Sequence, residues 1–434
     1  MPPAERVITR RAVASWVLYD LANTIFSMGV VSMYFSLYIG DAVGAERADR
    51  VYGLITAVSM GIIFVVSPLL GAMTDRAARR MPFLVWSTVI CCACTALLAR
   101  GPYAVSAVLF VVANAAYQAG LQFYDAMLPE VTTEENRGRI GGIGVSVGYL
   151  GSYIAVGLGF LVNTKTQKPL LFAIIAAVFF AVAIPCFFFV RERGNPRPRR
   201  IFGLQMIRES TAQTLATLKS GRRYPGLLRF LLGRVFYTDA INTVIAYMTL
   251  YTVNVAVATG LTAARGEDQA KLVLMSAITC AIAGGFAWGW LVDRIGPKRT
   301  LDLVLYLWML TFGIAGFVGL LRLPIGWLYL VACMAGVGMG GVWASDRPYM
   351  LRLTPPDRVG EFYGLYGMVG RFSAVTGPVL WSAITYLLVE RGGRHVLTGQ
   401  GVAILSLLAM VIVSFLILRK VSDQRRDWEA LRAA

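Results

Sequence analysis

Two carboxylates stand where an apolar stretch of chain would not be expected to hold them. Asp20 is followed by Asn23, Thr24 and Ser27, at i, i+3, i+4 and i+7, so on a helix all four share one face. At 1.5 Å per residue, Asp20 would lie roughly 12 Å below the membrane surface. A carboxylate at that depth is costly and faces a cavity or a partner, which makes Asp20 the first candidate for a proton-coupling site. Asp239, Asn242 and Thr243 repeat the arrangement, with Arg234 five residues ahead of Asp239 and poorly placed for an intrahelical pair. A third group, Asn114, Tyr117, Gln118, Gln122 and Asp125, keeps a helical period over three turns, which no lipid-facing surface would carry. Substrate contacts are therefore expected at Asn23, Thr24, Gln118, Gln122, Asn242 and Trp343. Asp20, Asp239, Arg234, Asp125 and Arg371 are expected to act in coupling or in charge pairs. The same residues can also be read as buried ion pairs and interhelical bridges that only fix packing.

Those residues need elements to position them, and composition says which kind. Of 434 residues, 57% are hydrophobic and 15% charged, too apolar for a soluble chain. The formal net charge of +17 could suit a nucleic-acid binder, but no fold for that task is recognisable. Twelve stretches are long and apolar enough to cross a bilayer as helices: 12–39, 51–73, 82–99, 102–128, 140–162, 170–190, 228–258, 271–292, 301–320, 326–350, 362–389 and 401–419. None alternates as barrel strands do. The reading is an all-α membrane protein. Lys and Arg number 28 on the side of both termini and 10 on the other, which points both termini and the long middle loop to the cytoplasm. No cleavable signal peptide is evident. A plasma membrane, that of a bacterial inner membrane, is the expected location.

The chain also repeats itself. Asp20, Asn23 and Thr24 recur as Asp239, Asn242 and Thr243, shifted by 219 residues. The loop Gly71-Ala-Met-Thr-Asp75-Arg76-Ala-Ala-Arg79-Arg80 recurs as Gly289-Trp-Leu-Val-Asp293-Arg294-Ile-Gly-Pro-Lys298-Arg299, shifted by 218. Asp125 and Arg137 match Asp346 and Arg358, shifted by 221. Three nearly equal offsets of half the chain mean two parallel six-helix halves, 1–190 and 228–434, joined by a linker at 191–227. The shift places Met339 opposite Gln118 and Trp343 opposite Gln122, so a cavity between the halves would be polar on one side and more aromatic on the other. The linker opens on a basic run. Its Phe202, Met206 and Ile207 suit either an interfacial helix on anionic lipid or a plain cytosolic connection. Gly141, Gly144, Gly148 and Gly151 in the fifth helix, and Gly360, Gly364, Gly367 and Gly370 in the eleventh, suit a sliding seam or close static packing equally well.

The repeated loop pattern resembles the signature of the major facilitator superfamily, and the resemblance covers the whole chain. A narrower resemblance, to the unknown-major-facilitator family related to the autophagy vacuolar effluxer, rests on three runs. They are Trp16-Val-Leu-Tyr19-Asp20-Leu-Ala22-Asn23, Phe123-Tyr124-Asp125-Ala-Met-Leu128-Pro129, and Glu361-Phe-Tyr-Gly364-Leu-Tyr-Gly-Met-Val-Gly370-Arg371-Phe with Gly377-Pro378. From that resemblance Asn would be expected at the position of Asp125, and the departure weakens any transfer of substrate. The resemblance implies the major facilitator fold, alternating access, and export of amino acids or similar small metabolites. It also implies that Asp75 and Asp293 meet helices 11 and 5, so that Gly71, Asp75, Arg76, Arg80, Gly289, Asp293, Arg294 and Arg299 form a cytoplasmic gate. The physical basis is that a carboxylate stabilises the unpaired amides at a helix N-terminus.

Other classes fare less well. The lone histidine, His395, falls in a predicted external loop and rules out Ser–His or Cys–His machinery within the membrane. With no H-E-x-x-H and no P-loop, an enzyme or an ATP-driven pump is not expected. The six cysteines all lie in predicted spans and read as small packing residues, not as disulfides or metal ligands. No cofactor or metal is expected. The partners expected are a small solute, the lipid bilayer and protons, with the protein a monomer. A lipid or drug transporter on the same scaffold, or a non-transporting membrane receptor, remain the alternatives.

Overall fold

Lipid offers a backbone amide no partner, so a segment that crosses a membrane must close its hydrogen bonds internally. In the computed structural model, which describes residues 8–162, 166–195, 198, 209, 224, 226–372 and 376–424, every regular element among the described residues is a helix. These are α1 (Arg10–Val43), α2 (Ala45–Arg76), α3 (Met81–Ala96), α4 (Tyr103–Ala126), α5 (Arg137–Leu158) and α6 (Lys168–Phe189), followed by α7 (Leu227–Ala258), α8 (Ala263–Ile295), α9 (Pro297–Leu321) and α10 (Gly326–Arg352). The eleventh, α11, is described in two pieces, Val359–Phe372 and Thr376–Thr385, the second running on as a π-helical turn, Tyr386–Glu390. The last is α12 (Val396–Leu418). Eleven spans are long and apolar enough to cross a membrane, and α3 is a shorter apolar helix of 16 residues. The sequence places that span at 82–99. Its last residues leave the helix in a tight turn, with Ala99 at φ +61°.

One feature of α1 carries no signal in the sequence. Residues Ser27–Tyr34 wind as a π-helix, and the carbonyl of Val31 within it accepts the hydroxyl of Tyr52 from α2. Such stretches are uncommon and tend to occur at functional sites.

The chain forms two compact units. One comprises the described residues of Met1–Ala216 with Pro356–Met368, the other those of Thr217–Pro355 with Val369–Ala434. In the first, α1 packs on α2, α5 and α6; α4 packs on α2 and α3; and α6 also meets α3 and α5. In the second, α7 packs on α8, α11 and α12; α10 packs on α8 and α9; and α12 also meets α9 and α11. Seven neighbour pairs correspond under a shift of six helices, so the repeat read in the sequence is largely a repeat of packing as well; the second unit adds contacts of α8 with α9 and of α7 with α10. Residues 356–368 belong by sequence to the second repeat but pack in the first unit, where Asp75 holds them.

Glycine sets the closest approaches. A methyl group added at Gly151 would lie 2.6 Å from the Leu21 carbonyl, and at Gly144 2.9 Å from the Trp16 ring. At Gly148 it would meet the Thr24 hydroxyl at 3.3 Å. These three glycines therefore seat α5 on α1 within one unit, which is close packing, whereas Gly141 has nothing within 4 Å. In the second unit Gly284, Gly336 and Gly340 do the same between α8 and α10. Gly151→Val should separate α1 from α5 and lower the detergent Tm by several degrees, as overpacking costs about 1–3 kcal/mol. Gly157→Val, with no atom within 4 Å, should leave Tm nearly unchanged. Equal melting of the two variants would refute the packing role.

Candidate functional site

The N-terminus of α11 ends on a carboxylate. Oδ1 of Asp75 accepts the amide of Gly360 at 2.7 Å, and Oδ2 accepts that of Glu361 at 2.7 Å. Nη2 of Arg80 also donates to Oδ1, at 2.9 Å. Amides of a first turn have no partner within the helix, and the helix dipole favours negative charge there. Gly71 lies one turn before Asp75 on the same face of α2. A side chain at Gly71 would collide with the Gly360 carbonyl, which explains why glycine stands there. Ser67, one turn earlier again, donates to the Gly364 carbonyl at 3.2 Å. Arg358 closes the turn with an ion pair to Glu361 at 2.8 Å.

A short strap after α6 braces this loop. Glu192 accepts the amides of Arg80 (2.5 Å) and Met81 (2.8 Å), capping α3. Asn195 donates its side-chain amide to the Asp75 carbonyl (2.8 Å) and its backbone amide to Ala78 (2.9 Å). The amide of Arg193 donates to Glu130 at 3.0 Å. Arg76 turns outward to Glu209 at 3.1 Å. Residues 191–195 enter the sequence reading only as basic linker. An acid just past a helix end that caps another helix has no local signature. In the second unit a strap with its charges exchanged follows α12. Asp423 pairs with Arg352 at 2.8 Å, beside Gly296 at φ +90°.

Buried charge in the second unit is paired across helices. Nε of Arg234 donates to Oδ2 of Asp346 at 3.0 Å, with both side chains almost wholly buried. Asp239 lies elsewhere on α7. Its Oδ2 accepts the Gly377 amide at 2.9 Å, and the Thr243 hydroxyl donates to its carbonyl at 2.7 Å. Asp239 thus takes a backbone amide further along α11, as Asp75 takes those at its N-terminus. Arg371 is half-buried on α11, and Asn242 and Trp343 are half-buried on α7 and α10.

In the first unit α1 and α4 meet through aromatic rings. Trp16 stacks on Tyr124 with centroids 4.5 Å apart, Phe26 meets Tyr117 at 4.8 Å, and Phe35 stacks on Phe110 at 4.0 Å. The same two helices carry two buried carboxamides. Asn23 sits between Trp16 and Phe26 in sequence, and Asn114 between Phe110 and Tyr117. Nδ2 of Asn23 and both polar atoms of Asn114 have no hydrogen-bond partner among the described residues. Buried polar groups are almost always bonded, so each such atom calls for a ligand or a bound water.

Other expected contacts are already engaged. Nε2 of Gln122 donates to the Ser67 carbonyl at 3.0 Å, and its Oε1 accepts the Ser67 hydroxyl. The Thr24 hydroxyl donates to the Asp20 carbonyl at 3.1 Å, and that of Ser27 to Thr24 at 3.2 Å. The Asp20 side chain is buried against Gly144 and Gly148 of α5. Gln118 is half-buried and Asp125 buried on α4. In the second copy of the loop Gly289 is buried, Asp293 half-buried, and Arg294 and Arg299 exposed. Residues Phe202, Met206 and Ile207 of the expected interfacial helix lie outside the described residues.

Twelve helices in two repeated sets define a secondary transporter of the major facilitator class. Residues 21–238 match the family described as "Major Facilitator Superfamily" and residues 130–430 the family described as "Vacuole effluxer Atg22 like". The chain belongs to the Atg22-like vacuole effluxer family of that superfamily. It is 27% identical over 438 residues to the uncharacterized MFS-type transporter YxiO of Bacillus subtilis, with 94% of each chain covered. It is 26% identical over 272 residues to Autophagy-related protein 22-1 of Emericella nidulans, which takes in 57% of this chain and 45% of the fungal one. Among solved structures it is similar to the human organic anion transporter MFSD10 (TETRAN), with a TM-score of 0.67 and 18% identity over 96% of this chain and 100% of that one. That likeness is one of fold.

Two outcomes follow from this geometry. Asp346→Ala and the neutral, near-isosteric Asp346→Asn both strip Arg234 of a buried carboxylate and should each cost roughly 3–5 kcal/mol in unfolding assays; a much smaller loss in Asp346→Asn than in Asp346→Ala would refute a charge-dependent pair. Burial pushes the Glu192 carboxyl above its ordinary range. The folded state then holds that proton to higher pH than the unfolded chain, so stability falls as pH rises through the mildly acidic range. Tm measured from about pH 4 to pH 7 should show this fall in the wild type and a flatter profile in Glu192→Gln.

Proposed function

We propose that the protein exports a small polar metabolite, an amino acid or a related compound, by alternating access coupled to protons. The carrying observation is the pair of carboxamides, Asn23 and Asn114, buried on two helices joined by aromatic rings, with donor and acceptor atoms unused. Unused amide donors and an acceptor beside ring faces suit a solute with a polar head and an apolar body: the amides take the head, and the rings take the rest. In the second unit Asn242 and Trp343 are the matching polar and aromatic contributors. Gln118 joins the first set, while Gln122 and Thr24 hold the scaffold through Ser67 and Asp20. The description of the family as a vacuole effluxer supports the outward direction.

Asp20 is the proposed proton carrier, being a carboxyl on the same helix as Asn23 and buried against glycines. Arg234 and Asp346 form the structural pair of α7 and α10, and Asp239 and Asp75 hold the two pieces of α11. A carboxylate on helix amides, braced by Arg80, is a contact that can be made and broken as a unit, so the loop at Asp75 serves as a gate away from the substrate. The Lys and Arg distribution supports cytoplasmic termini in a bacterial plasma membrane.

Proteoliposomes with an imposed pH gradient and a panel of radiolabelled amino acids test the reading. Flux of at least one solute is expected. Asn114→Leu should lower its affinity about tenfold or more, as expected when a polar ligand loses a buried partner. Asp20→Asn should abolish gradient-driven flux but leave exchange intact. Full gradient-driven transport by Asp20→Asn eliminates Asp20, and unchanged affinity in Asn114→Leu eliminates the carboxamides.

A further inference from the structure

The second copy of the repeated loop departs from the first in a way that gate chemistry does not explain. In the first copy Arg76 is largely covered and bonded to Glu209. Its counterpart Arg294 is exposed, and the central carbon of its guanidinium lies over the ring of Trp290, 3.8 Å from the centroid. Trp290 is itself half-exposed, whereas the matching residue of the first repeat is Ala72, which is buried.

Trp290 and Arg294 close a long stripe. Leu272, Met275, Thr279, Ala283, Phe286, Trp290 and Arg294 are all exposed, and they follow one another at steps of three and four along α8. In a membrane helix such a face is turned to lipid. Its order along the axis is that of a bilayer leaflet: aliphatic side chains first, then two aromatic rings, then a cation at the helix end. Arg299 is exposed five residues further on, in the same turn region.

The stacking has a chemical consequence. A guanidinium lying on an indole face spends no N–H group on the contact, because all its donors point outward in its own plane. That edge is the fork that matches two oxygens of a phosphate. The indole below it offers an apolar wall of the depth at which glycerol and the first acyl carbons lie.

We propose that the α8 face ending in Trp290 and Arg294 is a docking site for one anionic phospholipid. Arg294 takes the phosphodiester edge-on, and Phe286 with Trp290 takes the upper acyl chain. Bound there, the lipid ties the end of α8 to its leaflet.

The experiment uses full-length protein in detergent, titrated with phosphatidylglycerol or phosphatidylcholine, with Tm and native mass spectrometry as readouts. Phosphatidylglycerol should raise Tm by about 2–4 °C more than phosphatidylcholine and leave one retained lipid per chain. Arg294→Gln should abolish the difference. Arg294→Lys, which keeps the charge and lacks the fork, should reduce it, and Trp290→Leu should reduce it as well. Arg322→Gln, an exposed cation at the opposite end of α9, should not change it. Equal shifts from the two lipids, or a selective shift that survives both Arg294→Gln and Trp290→Leu, would overturn the proposal. An equal shift from soluble glycerol phosphate would do so too, by assigning the site to a free phosphate. Should Arg294→Gln fail to fold, the Arg294→Lys and Trp290→Leu arms decide alone.

Discussion

A helix that begins inside a membrane protein exposes amides that hydrocarbon cannot accept, and α11 meets this constraint with Asp75 at its N-terminus, while further along Asp239 takes the amide of Gly377, each carboxylate supplied by another helix. In water such a cap is worth about a kilocalorie, because solvent competes for the amides. With solvent excluded the alternative is an unsatisfied group, and the same bond becomes close to obligatory. Much else in the first unit serves that contact. Gly71 is bare so that the backbones can approach, Arg80 fixes the carboxylate, and Asn195 holds its backbone from behind.

This places the acids of the chain in distinct physical classes. Asp75, Asp239 and Glu192 are groups whose charge is matched by backbone amides. Asp346 is matched by a guanidinium. Asp20 sits against glycines of α5. A group used to move protons must change charge without unfolding its surroundings. Losing a cap would release α11, and losing the Arg234 pair would strand a buried cation.

Much of this was legible in the sequence because it follows from spacing. The polar faces of α1 and α7, the repeated loop and the equal offsets all fall at helical or half-chain intervals, and periodicity survives folding. The rest depended on partners distant in sequence. Nothing near Arg234 announces Asp346, 112 residues away. Gln122 looks like a free amide in a polar stripe, and only the position of Ser67 on α2 takes it up. The glycines of α5 fit either sliding or static contact until Trp16 and Leu21 are seen against them. The π-helical stretch of α1 is less legible still, since a register change in hydrogen bonding leaves residue types untouched.

The two repeats show how one design diverges under different duties. Seven of their helix pairs correspond, so packing has kept most of the duplication, while the polar attachments differ. After α6 the strap brings the Arg193 guanidinium to 4.0 Å from Glu130; after α12 it presents Asp423 to Arg352, with the charges exchanged. A pair can swap signs without loss only where each partner sees little but the other, which is the situation at a loop on the membrane surface. On the helices themselves the repeats differ by residue type and not by sign. There α4 carries Asn114, Gln118 and Gln122 where α10 has Ala335, Met339 and Trp343. Polarity at matching positions has therefore diverged while the packing that both repeats share has been kept.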